Sequence, residues 1–206
     1  MIRIYGVSAD ALPTIEAMQT LLGAQWTAAW NARHPSLEGS AARISLGGLY
    51  LLSQSGAEGI LRYTDMGRPF LEEGKIDFSI SHTRDAVFCA VALEGCSARI
   101  GLDAEDLGRI KEDRLRSLSR RWFGAEEKRI FEAAPDERTF LALWTRKEAL
   151  VKRTGEGLQQ MTTIDTYASC GEKKAAFWTY WVGNTCVTLC ADERARVASE
   201  ITMLSV

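Results

Sequence analysis

Two carboxylates stand two residues apart in Ile100-Gly101-Leu102-Asp103-Ala104-Glu105. The period of two in an extended chain puts Gly101, Asp103 and Glu105 on one face and Ile100, Leu102 and Ala104 on the other. Like charges this close repel unless a cation or a proton intervenes, and hard oxygen donors of this kind suit Mg²⁺, which takes one or two carboxylates together with phosphate oxygens and water. Taken alone, the pair is also what a strand end dipping into solvent would show. A second cluster lies in Trp144-Thr145-Arg146-Lys147-Glu148-Ala149-Leu150-Val151-Lys152. On a helix Glu148 and Lys152 are i and i+4 neighbours, turned away from the stripe of Phe140, Leu143, Trp144 and Val151. As a plain surface pair they would contribute only a few tenths of a kcal/mol, but the glycines that follow, Gly155 and Gly157, leave room for a substrate to approach. Third, Phe78-Ser79-Ile80-Ser81-His82-Thr83 is a strand ending in hydroxyl, imidazole and hydroxyl groups. With free backbone N–H groups, Ser81, His82 and Thr83 make a phosphate cradle, although a lone histidine is more often structural. The turn Gly67-Arg68-Pro69 adds a guanidinium for a phosphate or a base, at what is otherwise an ordinary β-turn.

These groups need elements to hold them. Residues 2–7 alternate as a strand, and 10–32 read as a helix with Ile15, Met18, Leu22, Trp26 and Trp30 at three- and four-residue spacing. A loop with Pro35 and Gly39 leads to a second helix over 41–53, whose Gly47 and Gly48 mark close approach of a neighbour or a ligand. Runs at 60–64, 76–80, 86–93 and 98–105, separated by polar and glycine-containing turns, predict an antiparallel sheet. The stretch 111–155 is helical in pattern, and strands return at 164–167, 176–182, 185–191 and 201–204. Helices then strands, twice over, suggest two similar lobes, 1–100 and 101–206. A short echo between Val87-Phe88-Cys89-Ala90 and Val187-Thr188-Leu189-Cys190 points the same way.

Composition narrows the chemistry. The 206 residues allow one large domain or two lobes of about a hundred residues each. A net charge of −2 lacks the global basic field of a nucleic-acid binder, so nucleic acid is not an expected partner and any anion site must be local. With only His34 and His82, histidine-rich zinc sites cannot be built. The five cysteines form no C-x-x-C pair and read as small buried residues of a reducing compartment. No apolar stretch approaches a bilayer span and no export signal is evident, so the expectation is a cytoplasmic protein that does not engage membranes.

Taken together and in this order, the pieces resemble the signature of the 4′-phosphopantetheinyl transferase superfamily, in its larger two-lobed type. The family's turn, strand, acidic strand and helix are matched by Gly67-Arg68-Pro69, Ser81-His82, Gly101-Leu102-Asp103-Ala104-Glu105 and the Trp144 to Lys152 helix. Arg120-Arg121-Trp122-Phe123 with Ala125-Glu126-Glu127, Gly155-Glu156-Gly157-Leu158 and Ile201-Thr202-Met203 resemble further family stretches. The likeness covers residues 41–158 well and the ends loosely.

The resemblance implies an α+β fold of two pseudo-symmetric lobes, each with helices on a small, mainly antiparallel sheet, with the active site in the cleft between them. It implies Mg²⁺ or Mn²⁺ held by Asp103, Glu105 and Glu148, and coenzyme A as substrate. Gly67, Arg68 and Pro69 would lie near adenine, and Ser81 and His82 near phosphate. Glu148 would take the serine proton of an apo acyl or peptidyl carrier protein, and Lys152 would bind and neutralise the leaving phosphate. Arg68 replaces the family's lysine and Ala104 a bulkier residue. Arg33, His34 and Arg43 are the candidates for the 3′-phosphate. Residues 109–129 carry eight basic against four acidic side chains, and are assigned to docking of an acidic carrier by what is expected to be a monomer. Two other readings stay open: another Mg²⁺-dependent phosphotransferase or hydrolase acting on a nucleotide diphosphate, and a non-catalytic coenzyme A- or carrier-binding protein.

Overall fold

The computed structural model describes every residue except 75, 94–98, 156, 158–160, 169–173 and 206. The chain divides into two compact units, Met1–Ala98 with Ala195–Val206, and Arg99–Arg194. The expected boundary near residue 100 lies close to where the second unit begins, but the last twelve residues pack with the first unit rather than continuing the second.

In the first unit, β1 (Ile2–Ser8) is followed by α1 (Ile15–Arg33) and α2 (Gly39–Gln54). The helix expected from residue 10 begins five residues later, because Pro13 precedes Thr14, whose hydroxyl accepts a hydrogen bond from the Ala17 N–H and caps the first turn. Gly23, at φ 74° and ψ 173°, kinks α1. Gly48 packs directly on Ile80 and Gly47 on Leu12, so the paired glycines of α2 serve a neighbour's close approach. β2 (Ile60–Tyr63) and β3 (Pro69–Glu72) form a hairpin, and the second of these strands was not foreseen. β4 (Asp77–His82) and β5 (Ala86–Ala92) complete the main sheet. β5 pairs antiparallel with both β4 and β1, which explains why all seven of its residues are buried.

The second unit opens with β6 (Gly101–Asp106), continues through α3 (Glu112–Trp122), α4 (Ala125–Ala133) and α5 (Glu137–Thr154), and closes with β7 (Ala175–Val182) and β8 (Thr185–Asp192). The single helical stretch expected over 111–155 is three helices, broken around Gly124 and Pro135. α5 is well bounded: Asp136 accepts from the Thr139 N–H at 2.7 Å, and Gly155 ends the helix at φ 74°. The strand expected at 164–167 is a turn instead, since Asp165 accepts from the N–H groups of Glu126, Tyr167 and Ala168 and curls the backbone around its carboxylate. Finally β9 (Thr202–Met203) pairs in parallel with β1.

The sheets run β4-β5-β1-β9 and β6-β8-β7. Each unit thus repeats one plan, a strand, then helices, then a hairpin whose second strand inserts between the other two. The sequence echo falls on the two inserted strands, β5 and β8. Cys89, Cys186 and Cys190 are buried free thiols, while Cys96 and Cys170 lie outside the described residues. Among the described residues no helix is long and apolar enough to cross a membrane.

Candidate functional site

In the second unit the sheet face beneath α5 carries the acidic strand. The register aligns Asp103 with Thr188 and Thr179, and Glu105 with Cys186 and Trp181. Thr145 of α5 closes on this face, its hydroxyl 2.7 Å from the Thr188 hydroxyl, which is in turn 3.0 Å from that of Thr179. Gly101 sets how near α5 can come. A Cβ there would lie 2.5 Å from the Arg153 amide nitrogen and nearer still to the Ala149 carbonyl oxygen. Only the missing side chain lets the helix backbone rest on β6, and that contact delivers Glu148 and Lys152 to Asp103 and Glu105.

Lys152 Nζ donates to Asp103 Oδ1 at 2.8 Å, with Asp103 almost fully buried and Lys152 about one-third exposed. Glu148 is pushed up to about 7 by burial and then by the Asp103 charge, against the pull of Lys152, with Glu105 adding to the rise. Burial, then Asp103, also raises Glu105, against Arg109 and Lys152. Three carboxylates and one ammonium therefore share one electrostatic site. Its donors are all hard oxygens, the set suited to Mg²⁺ or Mn²⁺. Among the described residues no three side chains stand as a ready metal cage, and Lys152 supplies the positive charge at Asp103. The donor chemistry fits a divalent cation, which would have to draw the carboxylates together and displace the ammonium.

Sequence reasoning missed the pair that anchors this helix. Lys147 and Glu127 are fully buried, with Nζ to Oε2 at 2.7 Å, and Lys147 also donates to the Ile164 carbonyl. Glu127 accepts further from the N–H of Gly124 at 2.8 Å and from the N–H and hydroxyl of Thr166 at 3.0 and 2.8 Å. Breaking such a pair on one side leaves an uncompensated buried charge, typically a loss of about 3–5 kcal/mol. A signal was present: Lys147 falls between Leu143 and Val151 at four-residue spacing, on the buried stripe of α5.

In the first unit, Gly67 sits at φ 83° in the turn joining β2 to β3, its N–H donating to the Thr64 carbonyl at 2.8 Å. Arg68 and Pro69 follow, but the Arg68 guanidinium is engaged by both carboxylate oxygens of Asp77 at 2.9 Å and by the Phe78 carbonyl. Ser81 is buried and His82 exposed at the end of β4. Thr83, expected in the same cradle, accepts from the N–H groups of Asp85 and Ala86 and thereby closes the hairpin turn. Arg43 is likewise occupied, donating to the carbonyls of Pro13, Asp10 and Leu12. Arg33 remains a candidate, since its guanidinium lies against Gly67, whose Cβ would meet Nη2 at 2.5 Å. Beside it the His34 imidazole is pushed down by burial and by the Arg33 charge.

Residues 99–197 match the family model described as the 4′-phosphopantetheinyl transferase superfamily. The chain is also similar to named proteins. It is 33% identical over 110 residues to 4′-phosphopantetheinyl transferase HetI of Nostoc sp. (strain PCC 7120), covering 50% of this chain and 44% of that protein. It is 32% identical over 108 residues to 4′-phosphopantetheinyl transferase AcpT of Salmonella typhi, covering 50% and 54%. To 4′-phosphopantetheinyl transferase psf-1 of Bacillus pumilus it is 32% identical over 96 residues, covering 45% and 38%. The chain thus spans about half the length of the curated relatives it matches.

Proposed function

We propose that this chain, whose residues 99–197 match the model of the 4′-phosphopantetheinyl transferase superfamily, transfers 4′-phosphopantetheine from coenzyme A to a serine of an apo acyl or peptidyl carrier protein. The observation that carries this reading is the convergence of Asp103, Glu105, Glu148 and Lys152 on one half-buried patch inside the matched segment. The serine oxygen attacks the phosphorus on the pantetheine side of the diphosphate, the bond to the bridging oxygen breaks, and adenosine 3′,5′-bisphosphate leaves. Glu148 would accept the serine proton, directly or through water. Lys152 turns from Asp103 to the leaving phosphate and neutralises charge gathering there. A divalent cation, Mg²⁺ or Mn²⁺, held by Asp103, Glu105 and Glu148 would neutralise the diphosphate oxygens and hold them for attack.

Gly67, Arg68, Pro69, Ser81 and His82 are assigned to the nucleotide and phosphate end of coenzyme A. Arg68 is held in place by Asp77, and the Arg33 guanidinium lies against Gly67. The exposed basic residues of α3, Arg114, Arg116 and Arg120, are assigned to the acidic carrier. The reading takes the enzyme as a cytoplasmic monomer. Incubation with coenzyme A, Mg²⁺ and an apo carrier protein tests it: mass spectrometry should find one phosphopantetheinyl group added to the carrier. An unmodified carrier, with coenzyme A hydrolysed instead, would favour a hydrolase.

A further inference from the structure

Arg146 is built into the second unit as a cation that, among the described residues, has no counter-ion. Its Cζ stands 4.2 Å from the Tyr167 ring centroid and 4.2 Å from that of Phe177, so aromatic rings pack against the guanidinium on two sides. Its Nε is buried with no hydrogen-bond partner, and among the described residues no carboxylate pairs with the group. The cage is held from behind. Thr166 is fixed by Glu127, Tyr167 donates its N–H to Asp165 at 3.1 Å, and Glu127 is itself held by Lys147. Two turns earlier on α5 the pattern recurs, with Arg138 stacked on Trp181 at 3.9 Å and likewise without a carboxylate among the described residues. Phe177 and Trp181 share one face of β7, the edge strand of its sheet.

A stacked arginine keeps its in-plane donors for a planar oxygen acceptor. At Arg146 the position argues against a nucleotide, whereas Arg138, about 80° around α5 from Glu148, stacks on Trp181, which the register aligns with Glu105. Arg146 lies roughly 200° around α5 from Glu148, at about 100° per residue, while Tyr167 is 44% exposed beside it. Exposed tyrosine and arginine around rigid rings are instead the composition of a protein-binding hot spot. Trp181 also packs on the apolar cluster that contains Leu115 and Leu118 of α3, so the strip adjoins the basic helix.

We propose that Arg138 and Arg146, supported by Trp181, Phe177 and Tyr167, form a docking strip for an acidic protein surface presenting two carboxylates about 12 Å apart, the rise of eight helical residues. Naming that partner as the apo carrier rests on the function proposed above; the strip itself does not.

The test measures carrier binding and transfer separately. Binding of an apo acyl carrier protein is followed by tryptophan fluorescence without coenzyme A or metal, at low and high salt. Transfer is followed by mass spectrometry. For Arg138→Gln with Arg146→Gln the carrier dissociation constant and KM should rise about tenfold, with kcat and the coenzyme A KM unchanged and the salt dependence reduced. Arg146→Lys should recover little, since an ammonium lacks the flat fork. Tyr167→Ala, at an exposed residue, opens the cage without touching α5 and should weaken the carrier alone. Unchanged carrier binding and KM in the double variant overturn the proposal. So does a fall in kcat at constant carrier KM, an Arg146-dependent response to inorganic phosphate or coenzyme A in place of the carrier, or no binding by the unaltered protein. A protein that binds the carrier through these arginines yet fails to modify it would keep the strip and lose the transferase reading.

Discussion

Gly101→Ala replaces one hydrogen by a methyl group on a strand, yet the contact it disrupts is the one that assembles the site. The new Cβ would stand 2.5 Å from the Arg153 nitrogen and closer to the Ala149 carbonyl, both backbone atoms of α5 that no rotamer change can move. Ordinary van der Waals separation requires the helix to retreat by about 1 Å or more. Overpacking of this kind costs typically 1–3 kcal/mol and sometimes more, and a clash with two backbone atoms of one helix belongs at about 3 kcal/mol. For a unit of roughly a hundred residues that lowers the melting temperature by about 10–20 °C. The retreat also stretches Lys152 from Asp103, now at 2.8 Å, and a misplacement of about 1 Å can cost roughly a hundredfold in turnover. Thermal unfolding by circular dichroism gives the first number. Transfer assayed well below the melting point gives the second, so that lost folding is not mistaken for lost chemistry. A variant that melts within about 2 °C of the parent, a shift worth under 1 kcal/mol, and turns over normally would show that α5 does not depend on Gly101 for its approach.

Glu148→Gln should leave folding intact and remove nearly all turnover, since it deletes a carboxylate that serves both metal and proton; full activity in the variant, or in excess chelator, would refute both roles. His82→Ala should raise the coenzyme A KM more than it lowers kcat, and a collapse of kcat at unchanged affinity would make His82 catalytic instead. Without metal, the raised Glu148 binds its proton more tightly folded than unfolded, so stability should fall as pH rises from 4.5 to about 7. At about 1.4 kcal/mol per tenfold change in proton activity the loss is capped at roughly 3 kcal/mol, and Mg²⁺ should flatten the slope measured by urea unfolding; a stability that climbs across that interval would contradict the carboxylate cluster. Reversing Arg116 and Arg120 to Glu should raise the carrier KM and leave that of coenzyme A alone, with steady-state kinetics across a salt series as the check.

The acidic strand and the Glu148 helix were legible because each obeys a period. Two-residue alternation fixes the face of Asp103 and Glu105, and three- and four-residue spacing fixes that of Glu148 and Lys152. Lys147 obeyed the same period and escaped notice, because a lysine on a buried stripe makes sense only once Glu127, twenty residues away, is known to meet it. The strand expected at 164–167 failed for a related reason: Ile164 and Tyr167 favour extended backbone, but Asp165 and Thr166 are bound by α4 and Glu127, and these long-range bonds override local preference. Gly47, Gly48 and Gly101 showed as glycines in the sequence, yet which backbone or side chain comes close is a tertiary fact. Arg43 and Arg68 looked like phosphate ligands by charge, while their carbonyl and Asp77 partners follow from the folding of the first unit alone.

The central claim is that Asp103, Glu105, Glu148 and Lys152 move a phosphopantetheinyl group intact from coenzyme A to a carrier serine. A single-turnover reaction with enzyme in excess tests it most directly, quantifying adenosine 3′,5′-bisphosphate by chromatography and modified carrier by mass spectrometry in the same samples. The account predicts equal amounts of both products at every time point, dependence on Mg²⁺ or Mn²⁺, and neither product from Glu148→Gln. Nucleotide released without carrier modification, or equal yields from the Glu148→Gln protein, would contradict it.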